Sequence, residues 1–230
     1  MKNFKSTILA FSFFFIAVSV LAQQTETRTP GNFSKIYSGG SWDVIVQTGN
    51  RDEVRVESTN ISLDKVITEV ENNTLKISLE KGNYRNIGLT VYVTVREVVG
   101  LKSTGSGNIK VQSDISTGSL SLGNTGSGNI FLKNVNAENL SVGLTGSGLV
   151  SIAGGSVGTL SVSQTGSGDF KGAELAAEKA SINKTGSGQS YIGEVENLNV
   201  KSTGSGNVYY SGNPESTNIS STGSARVIKR

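Results

Sequence analysis

The tetrapeptide Thr-Gly-Ser-Gly returns through the chain at an almost constant step. Intact copies open at Thr104, Thr125, Thr145, Thr165, Thr185 and Thr203, and a decayed copy, "STGSARV", lies at Ser221–Val227. Successive threonines are 21, 20, 20, 20, 18 and 19 residues apart. A period near 20 residues, with no helical pattern inside it, predicts a β-solenoid whose units stack and bury their apolar side against one another.

The flanks of the tetrapeptide have the matching pattern. Three residues before each Thr stand Leu101, Leu122, Val142, Val162, Ile182, Val200 and Ile219. Five residues after it stand Ile109, Ile130, Val150, Phe170, Ser190, Val208 and Val227. Apolar and polar residues alternate on both sides, the period of a half-buried strand. Each unit therefore reads strand, TGSG, strand, turn. Coils of about 20 residues would stack about 4.8 Å apart, and seven of them would make a column of roughly 30 Å.

The chain ahead of the repeats is built differently. Lys2 and Lys5 precede an apolar run from Ile8 to Ala22, which reads as a secretory signal peptide over 1–22 and as too short for a membrane span. Residues 23–32 are expected to form a flexible leader. From Phe33 the strands alternate without TGSG, in "SWDVIVQ", "EVRVES", "LKISLEK" and "IGLTVYVTV". Turn signals at Thr48-Gly49-Asn50, Asn72-Asn73 and Gly82-Asn83 separate them. "SLDKVITEV" fits either a helical turn or an irregular strand. Residues 33–98 are thus expected to be a β-rich part, continuous with the repeat solenoid at 99–230, that covers its open end. At the far end Arg226, Lys229 and Arg230 supply charge that discourages edge pairing.

Three stretches carry a family resemblance: "FSKIYSGGSWDVIVQTG" (Phe33–Gly49), "LDKVITEVENNTLKISLEK" (Leu63–Lys81) and "GLKSTGSGNIKV" (Gly100–Val111). In these the chain resembles the bacterial autotransporter-adhesin "head GIN" domain family, also known as a domain of unknown function. The resemblance covers the chain from Phe33 onward. It implies an all-β, single-stranded right-handed parallel β-helix on an exported bacterial protein. It brings no activity and no binding residue. No translocator barrel or sorting domain follows the repeats, so residence in the periplasm or release by a separate route is the expectation.

TGSG itself allows two geometries. If the chain stays extended through Thr104, Gly105, Ser106 and Gly107, both glycines share the inward parity and the hydroxyls face out. The same holds for Gly126 and Gly128, Gly146 and Gly148, Gly166 and Gly168, Gly186 and Gly188, and Gly204 and Gly206. Alternatively one glycine takes a positive φ and the segment bends between faces. A phosphate cradle is excluded, because it needs a following helix and a lysine that are absent here. A calcium site is excluded as well: the position four after Thr reads Asn108, Asn129, Leu149, Asp169, Gln189, Asn207 and Arg226, with one carboxylate in seven. A hydroxyl face for an ordered surface, such as ice or a crystalline glycan, would need outward Thr and Ser in a flat array.

Chemistry beyond the repeat is sparse. The chain has no His and no Cys, which removes Ser-His-Asp triads, thiol nucleophiles and disulfides. Removing Lys2 and Lys5 with the signal peptide lowers the formal net charge from +3 to +1, so nucleic acid is not an expected partner. Repeat-region acids such as Glu138, Glu174, Glu178, Glu194, Glu196 and Glu215 scatter into turns. No catalytic residue, metal site or cofactor is expected, although a polysaccharide lyase or hydrolase on a β-helix is the alternative reading. The candidate surface lies six after Thr, in an outward column that holds Phe131, Tyr191 and Tyr209. Aromatic faces there could meet glycans or envelope proteins. The expectation is an exported, non-enzymatic, adhesin-like scaffold.

Overall fold

The computed structural model describes residues 23–230, and the expected signal peptide lies outside them. The N-terminal strands are β1 (Gln24–Arg28), β2 (Lys35–Ser38), β3 (Asp43–Thr48), β4 (Glu53–Ser58), β5 (Val66–Glu71), β6 (Thr74–Leu79) and β7 (Leu89–Val95). The repeats follow as β8 (Gly100–Ser103), β9 (Ile109–Val111), β10 (Ile115–Gly126), β11 (Asn129–Gly146), β12 (Leu149–Gly166) and β13 (Asp169–Gly172). The last strands are β14 (Leu175–Gly186), β15 (Ser190–Gly204), β16 (Val208–Ser211), β17 (Ser216–Gly223) and β18 (Val227–Lys229). Together they form a β-solenoid of about six turns and roughly 20 residues per coil. Among the described residues no helix is long and apolar enough to cross a membrane.

Strands β11 and β12 each run for 18 residues, far beyond the usual five or six. They do so by turning corners. Their pairing skips Lys133 and Glu138, and these breaks divide each coil into three sides. A first side follows the TGSG corner, a second lies between the breaks, and a third leads back to TGSG. Along all three sides the register is in phase, as in Ile130 with Val150, Val135 with Gly155, and Leu140 with Leu160.

The inward positions make one continuous core. Ile109, Ile130, Val150, Phe170 and Val208 are fully buried in one column, with Ser190 among them. Leu122, Val142, Val162, Ile182 and Val200 face them from the third side. Burying a side chain of this size is worth about 1.5–3 kcal/mol, and every coil shares it with the coils above and below.

The N-terminal part is woven into the solenoid rather than placed on top of it. Strands β2 and β3 pair in parallel with β8 and β9 on one side and with β6 and β7 on the other. Their coil is sandwiched between a later and a still later stretch of chain. Antiparallel strands then close this end: β5 pairs β6, β4 pairs β7, and β1 pairs β4. Residues Gln24–Arg28, expected to belong to a flexible leader, are therefore an edge strand, in which Thr27 stands opposite Arg55 and Arg28 opposite Val54. The guanidinium of Arg28 also donates to the carbonyl of Leu63 at 2.6 Å and to that of Val66. The "SLDKVITEV" segment contains both of its expected forms, a 3-10 turn at Leu63–Lys65 followed by β5. Asn72 and Asn73 both take positive φ in the tight turn to β6.

Candidate functional site

The TGSG corner resolves the two sequence geometries into one. From the second copy onward the first glycine takes the positive φ of the bend, +115° at Gly146 for example, while the second is buried and the Thr and Ser stay exposed in the copies from Thr125 to Thr203. The bend turns the carbonyl of Gly126 along the solenoid axis, where it accepts N–H bonds from both Ser147 and Gly148 of the next coil, each at 3.0 Å. The same double acceptance recurs at Gly146, Gly166, Gly186 and Gly204. At the second glycine there is no room: a Cβ on Gly148 would stand 2.1 Å from the carbonyl oxygen of Gly128. The glycines are there because backbone packs on backbone.

One corner escaped the sequence. Ser38 pairs with Ser103, Thr104 N–H donates to Ser38 O at 3.0 Å, and Gly107 N–H donates to Gly40 O at 3.0 Å. "GGSW" at Gly39–Trp42 is thus the counterpart of TGSG in the first coil, with Trp42 at the place of the second glycine. The Trp42 indole lies over Gly40, where a Cβ would be 1.9 Å from the ring. The signal was the Gly-Gly-Ser spacing ahead of a buried Val44.

A second feature the sequence reading passed over is a polar column inside the corner. The residue before each Thr has inward parity, yet it reads Ser103, Asn124, Leu144, Gln164, Lys184, Ser202 and Ser221. Asn124 Nδ2 donates to Gly128 O at 2.6 Å, and Gln164 Nε2 and Lys184 Nζ do the same at Gly168 and Gly188. Ser221 Oγ reaches Ala225 O at 2.9 Å. Where Leu144 cannot donate, Asp169 N–H takes the Gly148 carbonyl at 3.2 Å. Ser190, the polar residue in the apolar column, donates to Gln164 Oε1 at 2.6 Å. Lys184 is 4% exposed. Burial pushes its amine down from the usual lysine range, partly offset by the charge of Asp169.

The outward face of the first side holds the candidate surface. Tyr191 and Tyr209 stack with ring centroids 4.9 Å apart and planes 12° from parallel. Tyr191 hydroxyl donates to Gln189 Oε1, Asn207 Nδ2 donates to Tyr209 Oη at 3.1 Å, and the Arg230 guanidinium lies 4.2 Å from the Tyr209 centroid. Phe131 stands in the same column but does not join the pair. Ser151 and Lys171 intervene, so it is three coil steps, about 14 Å, away.

The column also continues past the repeats, where sequence periodicity gave no guide. Lys110 pairs with Ile45, Ile45 with Tyr92, and Tyr92 with Arg55. The Arg55 guanidinium sits 3.9 Å from the Tyr92 centroid, so a cation covers an aromatic ring near both ends. Beside the column runs a ladder of short polar side chains. Asn129 Nδ2 donates to Asn108 Oδ1, and Asn108 Nδ2 to Asp43 Oδ1, both at 2.8 Å. Although burial opposes it, hydrogen bonds from Lys110 and Asn108 hold the Asp43 carboxyl below its usual range. Asp169 Oδ1 accepts the Gln189 N–H at 2.7 Å, so this carboxylate ties one coil to the next.

The repeat-region acids are less scattered than the spacing suggested. Glu178, Glu196 and Glu215 fall in register at the bend between the second and third sides, because Lys179 pairs with Asn197 and Asn197 with Ser216. Glu194 lines the same shallow depression. The irregular last spacings, 18 and 19 residues, had hidden this alignment. A larger depression, of about 600 Å³, lies on the third side, lined by Gly100 and Gly123 together with Lys35, Tyr37 and Lys102. Among the described residues no group of three acidic side chains is placed to hold a metal ion.

Known structures share this architecture. An adhesin-type protein of Bacteroides fragilis, described as a "putative adhesin", covers 91% of this chain with 97% of its own at a TM-score of 0.69 and 18% identity. A "putative adhesin" of Parabacteroides distasonis matches 91% of this chain and 97% of its own at a TM-score of 0.70 and 20% identity. A "putative lipid binding protein" of the same species matches 90% and 96% at a TM-score of 0.64 and 23% identity. No curated protein matches the chain. The family described as "Putative auto-transporter adhesin, head GIN domain" matches residues 32–214, from the edge of β2 through β16, and the chain belongs to that family.

Proposed function

We propose that the chain is an exported, adhesin-like scaffold of the cell envelope, without enzymatic activity, that holds glycans or envelope proteins against the first side of its solenoid. The observation that carries this reading is the stacked Tyr191–Tyr209 pair, an aromatic platform on a wall whose backbone is fixed at both tyrosines by pairing with the coils above and below. Such a wall has little conformational entropy to lose on binding, and rigid aromatic surface with a polar tip suits sugar rings or protein partners. The family and its adhesin-described neighbours support a surface role in the same direction.

A glycan array screened with the mature chain, read out for both binding and cleavage, tests the reading. Binding without cleavage, lost in Tyr191→Ala/Tyr209→Ala, is the expected result. Binding that survives the double substitution makes the tyrosine pair a purely structural ladder. Cleavage of any polymer replaces the scaffold by an enzyme.

A further inference from the structure

Building on that contact-face reading, we infer that the ligand of the first side is a linear acidic polysaccharide, lying along the solenoid axis with its sugar rings on the aromatic residues and its carboxylates or sulfates beside the basic ones. Three observations carry this.

The first is charge. The two outward columns of this side carry Lys110, Lys171 and Arg226 against two acids, Asp43 and Asp169. Lys133 and Arg230 flank them, with Glu194 at the margin. Lys110 is neutralised by Asp43 at 2.6 Å, but Lys133, Lys171, Arg226 and Arg230 have no carboxylate partner among the described residues. The stacked Glu178, Glu196 and Glu215 stand at the bend between the second and third sides instead. A nearly neutral chain has therefore sorted its charges between different sides of the coil. An anionic partner is attracted to the first side and repelled from the acidic bend.

The second is chemistry. Aromatic and cationic residues share one column, in the order Phe131, Ser151, Lys171, Tyr191 and Tyr209. A neutral glycan needs the rings alone, and a nonspecific polyanion needs the cations alone. A sugar acid uses both, its C–H face on tyrosine and its carboxylate on the neighbouring lysine. The third is spacing. Coils advance by about 4.8 Å, close to the advance of an extended pyranose chain per sugar, so successive sugars meet successive coils.

The test measures binding of the full mature chain to polygalacturonate, to a neutral linear β-glucan and to anionic phospholipid vesicles. Polygalacturonate alone is expected to bind, more weakly as sodium chloride rises. Tyr191→Ala/Tyr209→Ala and Lys171→Gln should each weaken it about tenfold, while Lys102→Gln on the third side should leave it unchanged. Equal binding of the β-glucan, lost in the tyrosine variant, would overturn the acidic ligand and keep the contact face. Binding of vesicles in preference to the polymer, or loss through Lys102→Gln instead of Lys171→Gln, overturns the inference. So does salt-sensitive self-association of the chain that buries the first side, detected by sedimentation. If no polymer binds, the inference fails, and the contact face then stands or falls on the glycan array alone. Circular dichroism of each variant confirms that the fold is retained.

Discussion

The TGSG corner and the tyrosine-bearing first side are adjacent in every coil, yet their sequences obey opposite rules. At the corner the same four residues return because backbone touches backbone, and the clearance at Gly148 leaves no place for a side chain. On the first side the outward residue changes from coil to coil, through Lys, Phe, Ser, Lys, Tyr, Tyr and Ile. The constant positions serve the fold, and the variable ones are free to serve a partner. In a solenoid, what repeats is geometry, and what departs from the repeat is where to look for recognition.

That contrast can be broken most directly at the corner. Gly148→Val would drive a Cβ against Gly128 O and two coils apart, and is expected to cost at least about 3 kcal/mol or to prevent folding; a urea melt that stays near wild type would refute the backbone-contact account. Removing both rings of the stacked pair should be far milder. Tyr191→Ala/Tyr209→Ala is expected to lower stability by about 1 kcal/mol, because neither ring is in the core, and a collapse of the fold would show that the first side is structural after all.

Lys184 tests the inside of the corner. Replacing it with the amide found one coil earlier, Lys184→Gln, keeps a donor for Gly188 O and removes a buried ammonium. A gain of about 1 kcal/mol at pH 7 is expected. The sign with pH follows from the lowered amine. Between its folded value and the ordinary 10.5, the unfolded chain binds more protons, so wild-type stability rises as pH climbs through that window. The variant should lose that rise, and urea midpoints at pH 7 and pH 10 compare the two. The smallest effect belongs to Gly118→Ala. A Cβ there meets nothing within 4 Å, and the change should stay within about 0.5 kcal/mol. A large loss at Gly118 would mean that glycine matters here for reasons other than clearance.

The solenoid and its coil length were legible because the apolar offsets around each Thr are strict, and a period survives small changes in turn length. The Tyr191–Tyr209 stack followed from the same counting. Its continuation to Ile45, Tyr92 and Arg55 did not, because those residues reach the sheet through strands that run out of chain order or antiparallel. Counting from Thr also missed the Glu178–Glu196–Glu215 register, since a shortened coil shifts the count without shifting the stack. The polar column at Asn124, Gln164 and Lys184 was visible as inward parity. Its purpose was not, because carbonyls that need donors inside a corner leave no trace in side-chain patterns.

The interleaving of the first coil has a consequence for how the chain reaches its fold. Strands β2 and β3 have parallel partners only in β6 and β7 on one side and in β8 and β9 on the other. They cannot settle until the chain through Val111 is present, so the opening step closes long loops and should be slow. After that each further coil needs only the template already built and some twenty new residues. A chain that emerges from the N-terminus would wait for roughly half its length and then zip up coil by coil, so the first half stays without its final partners for a long interval.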